Sequence, residues 1–289
     1  MTTLIVGEIS FLGASIALAL RYLGEDVVLY GPARSDSLPP GIPAVIGEVP
    51  SHSNLGSVVY KHRPERLVYV PTKARDSKGA YIEEEDFKQL TASASSLVSL
   101  LSTFNIPAVS MVSSYDVFGR GRAKAMASST VPLPTTLRGH ALRLLEGTVA
   151  HLSQSSNVLR IGEVFGQTKQ LGLSPVNTII EALVHTGRVG ILDADRTLDV
   201  YPVDLIAAVI AEEVLAGSSG ISHLSSASPV SLLSLGKRVA KVCGLPASAV
   251  LQSKRGVLPN ARLAGDIVLG HSLELITSII SMVESLRSE

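Results

Sequence analysis

"LIVGEISFLGASIALAL", from Leu4 to Leu20, decides how this chain is read. An apolar run ends at Gly7, a second glycine follows at Gly13, and an apolar helical pattern continues from there. A buried strand, a tight glycine turn and a helix make the opening of a βαβ unit of the kind that cradles a dinucleotide pyrophosphate. In such a unit the backbone N–H groups and the positive end of the helix point at the anion. Two residues depart from that pattern. Ser10 stands where a middle glycine lets the backbone approach phosphate oxygens, although its hydroxyl adds a donor. Glu8 sets a carboxylate beside the phosphate position, and at ~4–6 Å that charge costs on the order of 1 kcal/mol unless it turns to solvent.

Outward from this stretch the pattern repeats. Leu4–Val6, Val27–Tyr30, Ala44–Ile46, Leu67–Val70, Ala108–Val112 and Val158–Ile161 read as short buried strands. Helical stretches lie between them. Phe11–Leu23 stops at Gly24, Lys88–Phe104 sets Leu90, Leu97, Leu101 and Phe104 on one face, and Leu137–Leu152 does the same with Leu137, Ala141, Leu145 and Leu152. Strands alternating with helices imply an α/β fold with a parallel sheet covered on both faces. Beyond Gly166, Ser174-Pro175 opens a helix to about His185. Ile191–Leu192 and "TLDVYP" are extended, Val203–Leu215 and Ser231–Val242 are helical, and a last helix covers Ser272 to Leu286 with Leu275, Ile279, Met282 and Leu286 on one stripe.

The chain has 289 residues, 46% of them hydrophobic and 17% charged, enough for a sizeable core. Twenty-five basic residues balance 25 acidic ones, and no Lys/Arg-rich run appears, so neither nucleic acid nor an anionic membrane is an expected partner. The single cysteine, Cys243, excludes an internal disulfide and a cysteine-rich metal site; it reads as a packed core thiol. No apolar run reaches the ~20 residues of a membrane span, and no basic leader precedes the first strand, so the expectation is a soluble cytoplasmic protein.

Five fragments stand in a recognisable order: Gly7-x-x-Ser10-x-x-Gly13, "GEV" (Gly47 to Val49), "VSSYDVFGRG" (Val112 to Gly121), "LRIGEVFG" (Leu159 to Gly166) and "RTLDVYPVDLIAAVI" (Arg196 to Ile210). Together they resemble the extended short-chain dehydrogenase/reductases, the NAD-dependent epimerase/dehydratase family, in its dTDP-4-dehydrorhamnose reductase flavour, over nearly the whole chain. The resemblance implies a Rossmann-like doubly wound parallel sheet with a smaller C-terminal substrate lobe. The nucleotide-binding core is expected over residues 1–165, with 196–217 returning to it. The substrate lobe takes 166–195 and 218–289, and a small-molecule substrate is expected in the cleft between the lobes. Relatives often form dimers through the helices that match Lys88–Phe104 and Leu137–Leu152, which makes a homodimer the expected assembly.

The resemblance also assigns residues. Gly7, Ser10, Phe11, Leu12 and Gly13 fall on the cofactor turn. At the end of the second strand, where NAD-preferring relatives carry an acid for the ribose, "VVLYGPAR" has Gly31. Arg34 lies three residues on, where a 2′-phosphate is met, so a bound dinucleotide is expected to be NADP. Glu48 takes the acidic place near adenine. Ser114 falls on the hydroxyl that holds the substrate oxygen, and Asp116 where dehydratases of the family carry an acid.

The family's tyrosine and lysine, four residues apart on one helix face, are missing. Counting back from Leu159–Arg160 puts Arg138 and Leu142 on their slots, and a shift of two puts Thr136 and His140 there. Thr91 stands where relatives often carry an active-site asparagine. The one Tyr-x-x-x-Lys, Tyr69–Lys73, lies at a strand exit interrupted by Pro71. Substitute proton carriers are Asp116, Tyr115 and His140. Three functions follow: a divergent enzyme isomerising, cyclising or eliminating on a small metabolite; an NADP-dependent keto-sugar reductase or epimerase with a displaced proton donor; or a regulatory binding subunit without catalysis.

Overall fold

The computed structural model describes residues 1–33, 37–49, 52–74, 81–119, 126–153, 155–167, 174–192, 194–226, 229–253, 263–269 and 272–288. In chain order the elements are β1 (Thr2–Gly7), α1 (Leu12–Tyr22), β2 (Asp26–Gly31), β3 (Ala44–Ile46), α2 (His52–His62), β4 (Arg66–Val70), α3 (Glu83–Thr103), β5 (Ala108–Ser114), a 3-10 turn (Tyr115–Phe118), α4 (Leu137–Leu152), β6 (Ser155–Ile161), β7 (Glu163–Phe165), α5 (Pro175–Thr186), β8 (Val189–Leu192), β9 (Thr197–Leu198), β10 (Val200–Pro202), α6 (Val203–Ala216), β11 (Gly220–Ser226), β12 (Val230–Ser231), α7 (Leu232–Val242), β13 (Val250–Ser253), β14 (Ile267–Leu269) and α8 (Ser272–Ser288). The chain divides into two compact units: Met1–Gly119, Val131–Arg160 and Val203–Ser222 form the first, and Arg120–Thr130, Ile161–Pro202 and His223–Glu289 the second.

The first unit is built on strands in the order β6-β5-β4-β1-β2-β3, with β11 following β6. β1 pairs in parallel with both β2 and β4, β2 with β3, and β4 with β5. The order reverses between β1 and β4, the place where open parallel sheets put their ligand crevice, outside the strands' C-terminal ends. β1, β2 and β4 are apolar without alternation because helices bury both faces. α1 packs on α6, and α3 on α2 and α4.

Two helices differ from their predicted faces for a physical reason. On α3 the buried leucines are Leu90, Leu97 and Leu100 rather than Leu101. On α4, Leu137 and Leu152 are exposed, and the buried stripe carries two charges, Arg138 and Glu146, beside Ala141, Leu142, Leu145 and Val149. A pattern of apolar residues cannot show buried charges, which enter a core only when paired. Glu146 is paired: it accepts from Arg160 Nε and Nη2, both at 2.8 Å, and from the Ser113 hydroxyl at 2.7 Å. Arg160 also lies over the Phe118 ring, 4.9 Å from its centroid. This cluster ties α4 to β5 and β6.

In the second unit, β7 pairs with β10 and β8 with β13 in parallel, and β9 with β12 antiparallel. Ser174 caps α5 through Asn177 N–H with Pro175 at the first helical position, and Ser231 caps α7 through Ser234 N–H. Asp199 accepts from the N–H groups of Ser226 and Leu263, and Asp266 from those of His223 and the Ser128 hydroxyl. These two aspartates fasten irregular chain, so they are structural. Burial pushes the Cys243 thiol pKa up, as expected of an inert thiol. Among the described residues no helix is long and apolar enough to cross a membrane, and no group of three His, Cys, Asp or Glu residues is placed to hold a metal ion.

Glu146→Ala, which leaves the Arg160 guanidinium buried without its carboxylate, is expected to cost about 3–5 kcal/mol in urea unfolding. The double variant Glu146→Ala/Arg160→Leu is expected to recover much of that loss. A single-variant cost below about 1 kcal/mol would contradict the structural role given to this pair.

Candidate functional site

The β1–α1 turn sits where the strand order reverses. Gly7 has φ +111°, and a Cβ there would fall on the Val70 carbonyl oxygen. A Cβ on Gly13 would fall on the Glu8 carbonyl oxygen, and one on Gly31 on the Gly7 carbonyl oxygen. Three glycines therefore let β1, β2, β4 and α1 close on one another at this point.

The Glu8 side chain does not turn to solvent. Its Oε1 accepts from Ser10 N–H at 2.7 Å, Ser10 Oγ–H at 2.7 Å and Phe11 N–H at 2.8 Å, and its Oε2 accepts from Gly13 N–H at 3.2 Å. Phe11, the N-cap residue of α1, has no capping bond from its own side chain. Glu8 fills that role from three residues upstream and satisfies amides that helix starts leave open. The backbone of Glu8 is anchored as well, its N–H donating to Val70 O at 2.7 Å. The amides that the sequence marks for a phosphate are thus already bonded to a carboxylate.

The other expected cofactor residues are less engaged. Phe11, Leu12 and Gly13 are buried in the turn. The Glu48 side chain is exposed; its carbonyl accepts from Tyr30 Oη–H at 3.0 Å. Arg34, the residue expected to meet a 2′-phosphate, lies outside the described residues.

A second polar group stands at the C-terminal ends of β4 and β5. Ser114 Oγ–H donates to Asp116 Oδ2 at 3.2 Å, and Asp116 N–H donates back to Ser114 Oγ at 3.3 Å. Both residues and Tyr115 are half-buried. Arg138 Nε lies 3.7 Å from Asp116 Oδ2, so a cation flanks this carboxylate. Gly139 permits the approach: a Cβ there would fall on the Asp116 carbonyl oxygen. A glycine three residues after the capping Thr136 is the signal that sequence reasoning passed over.

The tyrosine and lysine slots hold other chemistry. Arg138 Nη1 donates to Asp86 Oδ2 at 2.7 Å and to Thr72 O at 2.9 Å. Burial pushes the Arg138 pKa down, but Asp86 and Asp116 more than offset this and hold it above the ordinary arginine value. Leu142 is fully buried. Asp86 is the hub, accepting also from Ala74 N–H at 2.9 Å and Tyr81 Oη–H at 3.1 Å. Neither Arg138 nor Asp86 was singled out as a pair by the sequence, because 52 residues separate them. Thr136 caps α4 through Gly139 N–H, and His140 is exposed, about 200° around the helix from Arg138. Thr91 folds its hydroxyl back on Phe87 O at 2.8 Å.

Three tyrosines are held as neutral phenols rather than poised as acids. Burial raises the Tyr81 and Tyr201 pKa values, and pushes that of Tyr69 up to about 12 against a softening hydrogen bond with Ser93. Tyr69 is buried in β4 while Lys73 is exposed beyond it.

The parallel strand order, reversing between β1 and β4 beside a glycine turn, defines a Rossmann-like doubly wound α/β fold. Solved structures agree. The chain is similar to UDP-glucose 4-epimerase with UDP-glucose from Thermotoga maritima, at TM-score 0.84 and 16% identity, covering 100% of this chain and 99% of that one. It is similar to dTDP-glucose 4,6-dehydratase from Bacillus anthracis in complex with NAD, at TM-score 0.83 and 12% identity, covering 100% and 97%. It is also similar to UDP-glucose 4-epimerase from Thermus thermophilus in complex with NAD, at TM-score 0.79 and 16% identity, covering 99% of each. No protein-family model and no curated protein sequence matches the chain.

The Tyr69 shift gives a pH dependence. The folded pKa of about 12 exceeds the model-peptide value of 10.0, so the unfolded chain loses this proton first. Stability from the buried phenol is complete below pH 10 and is lost as pH rises towards 12, by roughly 2–3 kcal/mol. Urea melts from pH 9 to 12 are expected to show this decline, and Tyr69→Phe to flatten it. An unchanged slope in the variant would contradict the assignment.

Proposed function

We propose that this chain binds a small metabolite at the C-terminal ends of β4 and β5 and acts on it by proton transfer without hydride transfer, as an isomerase, cyclase or lyase. The observation that carries this reading is the Ser114–Asp116 pair, half-buried and linked at 3.2 Å, beside a tyrosine slot filled by Arg138 and held by Asp86 at 2.7 Å. The Ser114 hydroxyl would hold a substrate oxygen, and Asp116 would take and return the proton. Arg138, its Nε 3.7 Å from Asp116 Oδ2, would stabilise negative charge that develops nearby. Tyr115 shares the turn and is the reserve proton carrier; His140, exposed on α4, is the weaker one. Nucleotide-linked sugars are the first substrate class to test, since the similar structures include a UDP-glucose 4-epimerase holding UDP-glucose and a dTDP-glucose 4,6-dehydratase.

A keto-sugar reductase or epimerase using NADP fits these residues less well. Even with its proton donor displaced, it needs a β1–α1 turn with free amides, and Glu8 engages those of Ser10, Phe11 and Gly13. A binding or regulatory protein is the second reading, favoured by the full engagement of Arg138 with Asp86 and Thr72 O.

The 4-keto forms of UDP-glucose and dTDP-glucose, whose carbonyl acidifies the neighbouring C–H, offered without dinucleotide and followed by proton NMR, test the proposal. Turnover is expected in the wild type, falling by about 10²–10⁴ in Asp116→Asn and less in Ser114→Ala, with the ligand-induced shift in Tm kept. Equal turnover in both variants would overturn the assignment. Binding without turnover in the wild type would favour the regulatory reading.

A further inference from the structure

We infer that Glu8 is the protein's own anion in the β1–α1 turn and the residue that keeps a dinucleotide pyrophosphate out. A pyrophosphate at this turn is recognised by amides at the start of the helix. Those amides, at Ser10, Phe11 and Gly13, and the Ser10 hydroxyl make four hydrogen bonds to the one carboxylate. To admit a phosphate, Glu8 must leave all four acceptor positions and then stand beside a doubly charged group. A second observation is independent of these bonds. β2 ends in Gly31, where a Cβ would fall on the Gly7 carbonyl oxygen. Among the described residues the end of β2 therefore offers no carboxylate for a ribose hydroxyl, and Gly31 leaves no room for a side chain that would carry one.

The residues of the turn thus do not fit the group that this fold commonly carries. Glu8 reproduces its electrostatic part from within: one carboxylate at the helix start, bonded to the same donors. Four hydrogen bonds fix the turn from within, and what it rejects is set by charge. An anionic ligand reaching the Ser114–Asp116 group must do so without help from this helix end. The inference stands whether or not Ser114 and Asp116 prove catalytic, because it concerns a different turn.

Titrating the wild-type chain, Glu8→Ala and Glu8→Gln with NADH and NADPH tests it, with nicotinamide fluorescence and calorimetry as readouts and melting curves to show that each variant is folded. Glu8→Gln keeps the shape and one acceptor while removing the charge, so it serves if Glu8→Ala unfolds. The wild type is expected to bind neither cofactor below about 1 mM, and a folded variant to bind at least about tenfold tighter. Glu8→Ala is also expected to melt at a lower temperature, because the helix start loses its acceptor. Micromolar binding by the wild type would overturn the inference. Folded variants that bind no better than the wild type would overturn it as well, since Glu8 would then not be what excludes the cofactor.

Discussion

Backbone N–H groups at the start of a buried helix must find an acceptor, and in this chain Glu8 supplies it. The turn where this happens joins β1 to α1, with β1 between β2 and β4 in the sheet. Gly7, Gly13 and Gly31 bring the backbones so close that no side chain fits between them, so the amides cannot be reached by solvent from every side. A charged acceptor held by four bonds closes the turn from inside. The same loop geometry that serves a phosphate elsewhere in this fold here serves a carboxylate three residues before the helix N-cap.

Buried charge continues along the sheet. Asp86 with Arg138 and Glu146 with Arg160 join α3, α4, β5 and β6 through side chains that are almost wholly removed from water. Replacing one partner leaves an uncompensated charge, which makes each pair an all-or-none feature of the packing. This explains how the tyrosine slot can be filled by an arginine without loss of the fold. Arg138 is fixed by Asp86 and Thr72 O, and it turns its Nε toward Asp116. Arg138 is thus part of a structural ion network whose edge touches the Ser114–Asp116 turn.

Continuous apolar runs separated by helical patterns made most of the first unit legible. β1 to β6, α1 and α4 follow the runs of Leu, Ile and Val, and Ser174-Pro175 marked the start of α5 through the pairing of cap and ring. α3 begins at Glu83, five residues before its apolar pattern, because four acidic residues suit the positive end of a helix without contributing to a core stripe. β11 escaped notice because "GISHLSS" is serine-rich, though its last four residues are buried. At the site, Ser114 and Asp116 were readable from their place after β5. Glu8 was readable as an anomaly but not as a cap, since its role depends on where three amides converge. The Asp86–Arg138 pair depends on the packing of α3 on α4, which no local spacing reveals.

A crystal structure of the wild-type chain grown with millimolar NADH measures the central claim directly. The expected result is Glu8 carboxylate density within hydrogen-bond distance of the Ser10, Phe11 and Gly13 amides, with no pyrophosphate at the turn. A pyrophosphate on those amides with Glu8 swung out to solvent would contradict the account.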